Sequence, residues 1–172
     1  MARKYRLNQI NQLTNNDVFV DANVLIYIFW PTGSYYENEY SKALKELRNQ
    51  GNNLYINFLV ISEAINRMLR IEYSKSSAFN KFKDYRNSTD AKQALADIYT
   101  IVKDDILTRF EVVDKEFNKE EIERFLVVED IDINDKAILE VCKENNMILL
   151  TNDSDFKNSN IDLLTCNNKL LS

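Results

Sequence analysis

Apolar residues in this chain fall into short continuous runs separated by longer stretches with helical spacing. The run Asp17–Val20 predicts a buried strand that ends on Asp21, and apolar positions continue over 23–29 as a turn or two of helix, broken by Pro31 and Gly33. Over 36–49, Tyr36, Tyr40, Ala43, Leu44 and Leu47 mark one face of an amphipathic helix, with Gly51 in its C′ region. A second short strand is predicted at 54–57. A helix over 59–73 follows, with Ile61, Ala64, Ile65, Met68 and Leu69 on its apolar side.

The polar, weakly periodic segment 74–87 leads to a helix over 91–107, entered through the cap signal Ser88-Thr89-Asp90. Then come a strand at 110–113, a short helix over 118–127 and a helix over 133–145. The sequence MILLT predicts a strand at 147–151, and 162–165 suits a fifth. Strands alternating with helices predict an α/β fold with a mostly parallel central sheet of four to five strands. There is no repeat, low-complexity tract or linker. Residues 1–16 therefore read as an N-terminal extension and 17–172 as one domain, which suits a length of 172 residues.

Composition narrows the chemistry. There is no histidine, which removes Ser-His-Asp triads, Cys-His pairs and any acid–base scheme built on imidazole. Zinc sites that need histidine are excluded, and two cysteines alone cannot make a four-cysteine site. Two isolated glycines, Gly33 and Gly51, cannot form a phosphate-cradling glycine-rich loop. Acids outnumber bases 27 to 22, for a net charge of −5, so charge alone does not suggest a broad electrostatic nucleic-acid binder. The basic N-terminus lacks the apolar core of a signal peptide, and the longest apolar run, 24–30, is too short to cross a bilayer. Cys142 and Cys166 lack metal or redox spacing and read as free thiols, Cys142 on a helix face in the core. A cytoplasmic location with no membrane contact is the expectation.

Carboxylates are the remaining tool. In open parallel sheets the functional crevice lies beyond the carboxyl ends of the strands, and four acids fall at that edge. Asp21 ends the first predicted strand, Glu63 lies early in the helix after the second, Asp135 opens the helix before MILLT, and Asp153 follows that strand in TNDSDF. Each has a plain structural reading: Asp21 as a helix cap, Glu63 as the i,i+4 partner of Arg67, Asp135 as a first-turn acid behind the cap Asp132, and Asp153 as a turn residue. Jointly they describe a site. Two carboxylates 4 Å apart repel by about 4 kcal/mol at an effective dielectric of ~20, so four in one pocket require protons or a bridging cation. Without imidazole or a thiolate pair, the fitting ion is a hard one, Mg²⁺ or Mn²⁺. Such an ion can activate water for phosphodiester hydrolysis and offset the repulsion between an acidic protein and a phosphate backbone.

At these residues the chain resembles the PIN-domain family of metal-dependent ribonucleases. The segments that carry the likeness are FVDANVLIYIF, ISEAINRM and NDKAILEVCKENNMILLTNDSDF, and it spans roughly 17–166. The resemblance implies a three-layer α/β/α fold and a Mg²⁺ or Mn²⁺ cofactor. It implies catalytic, metal-binding roles for Asp21, Glu63, Asp135 and Asp153, and supporting roles for Asn23, Thr151 and Asp155. It also implies an RNA substrate, a product with a 5′-phosphate and a 3′-hydroxyl, and a plausible homodimer. Many small bacterial PIN proteins, similar to the VapC group, are toxins of toxin–antitoxin pairs, so an antitoxin partner is a further expectation.

Arg67 and Arg70 are the candidates for RNA phosphate contact if Glu63 faces the site. The segment NKFKDYRN, with its interleaved basic and aromatic residues, reads foremost as a solvated helix with a buried aromatic stripe. Two other classes compete with the nuclease. An aspartate-based phosphatase or phosphotransferase would need a second aspartate two residues after Asp21, where Asn23 stands. A non-catalytic PIN-like module would bind RNA or protein without cutting.

Overall fold

The computed structural model describes residues 2–172. Six strands form a single sheet: β1 (Lys4–Arg6), β2 (Asp17–Val20), β3 (Asn53–Ile56), β4 (Glu111–Val112), β5 (Ile148–Leu150) and β6 (Leu163–Thr165). Their spatial order is β1-β6-β5-β2-β3-β4, and every neighbouring pair is parallel. The helices are α1 (Ala22–Phe29), α2 (Tyr35–Asn49), α3 (Phe58–Lys75), α4 (Phe82–Arg86), α5 (Thr89–Ile101), α6 (Lys119–Phe125) and α7 (Ile133–Glu144). Short 3₁₀ segments cover Leu7–Gln12 and Ser154–Asn158, and a π turn, Val102–Ile106, extends α5.

Successive residues of a strand point to opposite faces, yet every residue of β5 and β6 is buried, as are Val18, Phe19 and Val20 of β2. Helices therefore cover both faces of the sheet. This explains why these strands appear in the sequence as continuous apolar runs rather than alternating ones. The sheet has six strands where the sequence predicts four to five. The additional one is β1, whose exposed–intermediate–exposed pattern KYR carries no hydrophobic signal. It pairs with β6 through Lys4↔Leu163, and the Arg3 amide donates to Asp162 Oδ1 at 2.7 Å. Part of the N-terminal extension is thus a charged edge strand of the domain, a composition that discourages pairing with another chain.

The α2–β3 connection shows how locally the sequence dictates the fold. Gly51 has φ +75° and follows the α2 C-cap. Its N–H donates to the Arg48 carbonyl and the Asn52 N–H donates to the Leu47 carbonyl, the paired bonds of a Schellman stop. A Cβ at Gly51 would meet the side-chain oxygen of the exposed Asn15 at 2.6 Å, which can shift, so it is the left-handed backbone that favours glycine here. The Asn52 side chain is buried, donates to the carbonyls of Leu13 and Leu47, and accepts from the Asn16 N–H at 2.8 Å. It fastens the amino ends of β2 and β3 to the preceding loop and to α2. Within NKFKDYRN, α4 is a short helix, and Tyr85 is buried against the core as the aromatic-stripe reading expects. Both cysteines are free, with Cys142 buried. Among the described residues no helix is long and apolar enough to cross a membrane.

Candidate functional site

Strand β2 ends at Val20, and Asp21 still extends its ladder, donating its N–H to the Leu150 carbonyl of β5 at 3.0 Å. The Asp21 carbonyl then accepts from Val24 and Leu25, which starts α1. Its side chain caps that helix: Oδ1 accepts from the Ala22 N–H at 2.7 Å. The cap expected from the sequence is therefore present, but it uses only part of the carboxylate. Oδ2 accepts from the Asn23 amide at 2.6 Å and from the Thr151 hydroxyl at 2.6 Å, in a residue only 4% exposed. Burial raises the Asp21 carboxyl to about 6, the charges of Glu63 and Asp153 add to the rise, and the Thr151 and Ala22 hydrogen bonds oppose it.

Asn23 and Thr151 orient this carboxylate and also tie β5 to α1. The Asn23 carbonyl oxygen accepts from the Asn152 N–H at 3.2 Å, and Thr151 Oγ1 accepts from the Asp153 N–H at 3.0 Å. Tyr40, from α2, donates its hydroxyl to the Thr151 carbonyl at 3.0 Å. Asp153, three residues beyond the end of β5, is thus placed by the same threonine that holds Asp21.

Asp135 lies in the first turn of α7, where its N–H donates to the capping carboxylate of Asp132 at 2.9 Å. Its carboxyl is pushed up to about 8, by burial first and then by the charges of Asp132, Asp21, Asp153 and Glu63. Lys136, one residue away, supplies no relief. Its buried ammonium donates to the Phe125 and Val127 carbonyls and pairs with Glu129 at 3.0 Å. Glu63, in the second turn of α3, pairs with Arg67 at 3.1 Å across one helical turn, again as its plain reading expects.

The four acids thus share one electrostatic neighbourhood at the carboxyl edge of the sheet, although they come from four separate parts of the chain. Among the described residues, Asp21, Asp135 and Asp153 have no lysine or arginine within salt-bridge distance. The cluster is not a closed coordination shell: no three acidic or thiol side chains among the described residues are gathered tightly enough to grip one ion as placed. The donor set is nevertheless of the right kind for a hard cation. It is all carboxylate oxygen, with negative charge that the protein itself leaves largely uncompensated.

Asp155 is not brought into this group. It lies in the 3₁₀ segment after β5, where its N–H donates to Asp153 Oδ1 at 3.1 Å. Its own exposed side chain borders a different hollow, with Lys136 and Ser159. Arg67 and Arg70 line a cleft between α3 and α1, together with Asn23, Tyr27 and Trp30. Sequence reasoning had no role for Asp132 beyond the cap, and none for Asn152, Tyr27 or Trp30 at the site. For the α1 residues a signal existed: positions 23, 27 and 30 share one helical face, and the first of them touches Asp21.

A family model for the PIN domain matches residues 18–161. No curated protein matches the chain. Among solved structures, the chain is similar to one in the crystal structure of VapBC2 from Rickettsia felis bound to a DNA fragment from their promoter. Identity there is 20%, coverage 87% of this chain and 98% of that chain, and the TM-score 0.50. It is also similar to one in FitAcB from Neisseria gonorrhoeae, with 12% identity, coverage of 86% and 96%, and a TM-score of 0.52.

Proposed function

The chain belongs to the PIN-domain family, and on that premise we propose that it is a metal-dependent endoribonuclease whose site is the cluster Asp21, Glu63, Asp135 and Asp153. The observation that carries this reading is the charge imbalance at the sheet edge. Three of the four carboxylates lack a basic partner, and burial, then crowding by the other acids, lifts two of them to about 6 and about 8. Carboxyls perturbed by burial and by one another, with no basic partner, mark a functional site. Mg²⁺ or Mn²⁺ is the ion whose preference for oxygen matches these donors.

Asp21, Glu63, Asp135 and Asp153 would hold the cation. Bound there, it would supply a Lewis acid for activating water and for neutralising charge on the phosphoryl group. The remaining work belongs to the chain's own residues. Asn23 and Thr151 hold the Asp21 carboxylate in one orientation, so it need not reorganise on loading. Thr151 also fixes the backbone of Asp153. Glu63 is shared with Arg67, which keeps a cation beside the site where a phosphate diester would approach.

The phosphatase alternative fares worse. The Asn23 amide is locked between Asp21 and the Asn152 N–H, and an amide in that position cannot serve as a proton donor to a leaving group. The toxin role and an antitoxin partner are part of the proposal. The two-component names of the similar VapBC2 and FitAcB structures support it. The test is digestion of an RNA pool with Mn²⁺ by the parent protein and by Asp21→Asn, with sequencing of the ends. The proposal expects cuts bearing 5′-phosphates from the parent and none from the variant. Equal cutting by both would reduce Asp21 to a helix cap.

A further inference from the structure

The connection between α6 and α7, residues 126–132, ends on the cap Asp132 and leads within one turn to Asp135. It is held by very little. Among the described residues, 127–131 make no backbone–backbone hydrogen bond. Its first three side chains, Leu126, Val127 and Val128, are aliphatic and exposed, Val128 completely. The polar ties it does make run to a single group, the ammonium of Lys136. That group donates to the Val127 carbonyl at 2.6 Å and pairs with Glu129 at 3.0 Å. Its third bond, also 3.0 Å, goes to the carbonyl of Phe125, the last residue of α6.

Lysine is rarely buried unless paired, and Lys136 is only 9% exposed. An ammonium has three donors, and here each meets an acceptor. Stability does not explain this arrangement, since well-packed apolar side chains often replace a buried ion pair at no cost. What the ammonium adds is geometry. It joins the end of α6 to the first turn of α7 and closes a loop that contains both Asp132 and Asp135. The Asp132 carboxylate accepts from the Asp135 N–H at 2.9 Å, so anchoring the connection also fixes the start of the helix. Successive residues of a helix are turned by about 100°. Lys136 thus reaches back to the connection while Asp135 stays among the other acids.

We propose that Lys136 is a positioning residue for the carboxylate site. By engaging the α6–α7 connection with all three donors, it sets the first turn of α7 and holds Asp135 ready for a divalent cation. The same bonds keep its own charge off the adjacent carboxylate. The inference rests on the metal-dependent reading of the four acids and adds a residue outside them on which cation affinity depends.

Charge and position predict opposite signs for the loss of this lysine. Removing a positive charge beside four carboxylates would, by Coulomb attraction alone, tighten Mn²⁺ binding. Loss of a positioning group loosens it. The metal-free, full-length protein is titrated with Mn²⁺ in the absence of RNA, and free Mn²⁺ is read from its electron paramagnetic resonance signal. Lys136→Met keeps the length of the side chain and removes its donors. The Val127 and Glu129 acceptors it leaves belong to exposed residues and can be taken up by water. A Mn²⁺ dissociation constant raised about tenfold is expected, in a protein that still melts cooperatively.

Glu129→Ala, at a side chain 56% exposed, removes one of the three bonds without touching the buried lysine and should weaken binding less, in the same direction. Glu140→Ala controls for charge: this acid borders the same hollow as Lys136 but makes no bond to it, and its loss should leave affinity unchanged. Unchanged or tighter binding by Lys136→Met overturns the positioning role and leaves the cation site standing. If that variant does not fold, the comparison of Glu129→Ala with Glu140→Ala decides, and equal affinities overturn the role. A parent protein that binds no Mn²⁺ removes the cation site and the positioning role together.

Discussion

Two buried polar side chains stand at opposite edges of the sheet, Asn52 beside the amino ends of β2 and β3 and Asp21 just beyond the carboxyl end of β2, and they are treated in opposite ways. At the amino end Asn52 is 6% exposed and neutral, and its three hydrogen bonds join a loop, a helix end and a strand. Nothing about it is left unmatched. At the carboxyl end Asp21 is 4% exposed and also makes three hydrogen bonds. Its charge, however, has no cationic partner and is surrounded by three further acids. A buried neutral amide with all its partners stabilises a fold, whereas a buried charge among like charges costs stability until something binds it. The contrast separates a residue kept for architecture from one kept for a ligand.

Exchanging each side chain for a simpler one should break this pairing in opposite directions. Asp21→Asn has the largest expected effect, a loss of at least about 100-fold in Mn²⁺-dependent RNA cleavage, with the melting temperature within ~3 °C of the parent. Cleavage kinetics and circular-dichroism melts read the two halves. Asn52→Ala should do the reverse. It strands the buried Leu13 carbonyl and Asn16 N–H and should cost about 2–4 kcal/mol, lowering the melting temperature by ~5–15 °C. Cleavage per folded molecule should be unchanged.

A pH series sharpens the same contrast. The raised carboxyls of Asp21 and Asp135 keep their protons in the folded state when an unfolded chain, with ordinary values of 3.8, has lost them. Their contribution is fully present below pH 3.8 and is lost as pH rises through about 6 and then about 8. Metal-free melting temperature should therefore fall across this window, and less so in Asp21→Asn. The neutral Asn52 lock contributes no pH dependence, so Asn52→Ala should shift the whole curve down without changing its shape. The smallest effect expected is that of Thr151→Val, which removes one hydrogen bond to Asp21 and the acceptor for the Asp153 N–H. A loss of about tenfold in cleavage, or in Mn²⁺ affinity, is expected.

What the sequence showed follows the same division. The α/β alternation was legible because strands buried on both faces are written as apolar runs, as in β2 and β5. The four acids were legible because each sits where a strand ends or a helix begins, and parallel topology sends those ends to one edge. Gly51 was legible as a helix stop because only a local conformation had to be read. Strand β1 was hidden because an edge strand made of Lys4, Tyr5 and Arg6 needs no apolar face. Asn52 was hidden too, since an asparagine after a glycine looks like any turn residue until its distant partners are placed. Asp155 lies apart from the cluster because the 3₁₀ turn after β5 carries it outward, a rotation that spacing within TNDSDF does not reveal. The Glu63–Arg67 pair shows that a plain structural role and a place at the site can coexist in one side chain.

Thermal denaturation of the parent and Asp21→Asn at pH 8, over increasing Mn²⁺, tests the central claim most directly. If the carboxylates at the carboxyl end of β2 await a divalent cation, the parent gains about 2.7 kcal/mol at a hundredfold excess over the dissociation constant, a rise of ~5–10 °C, and the variant stays flat. A flat parent curve, or equal shifts in both proteins, would contradict it.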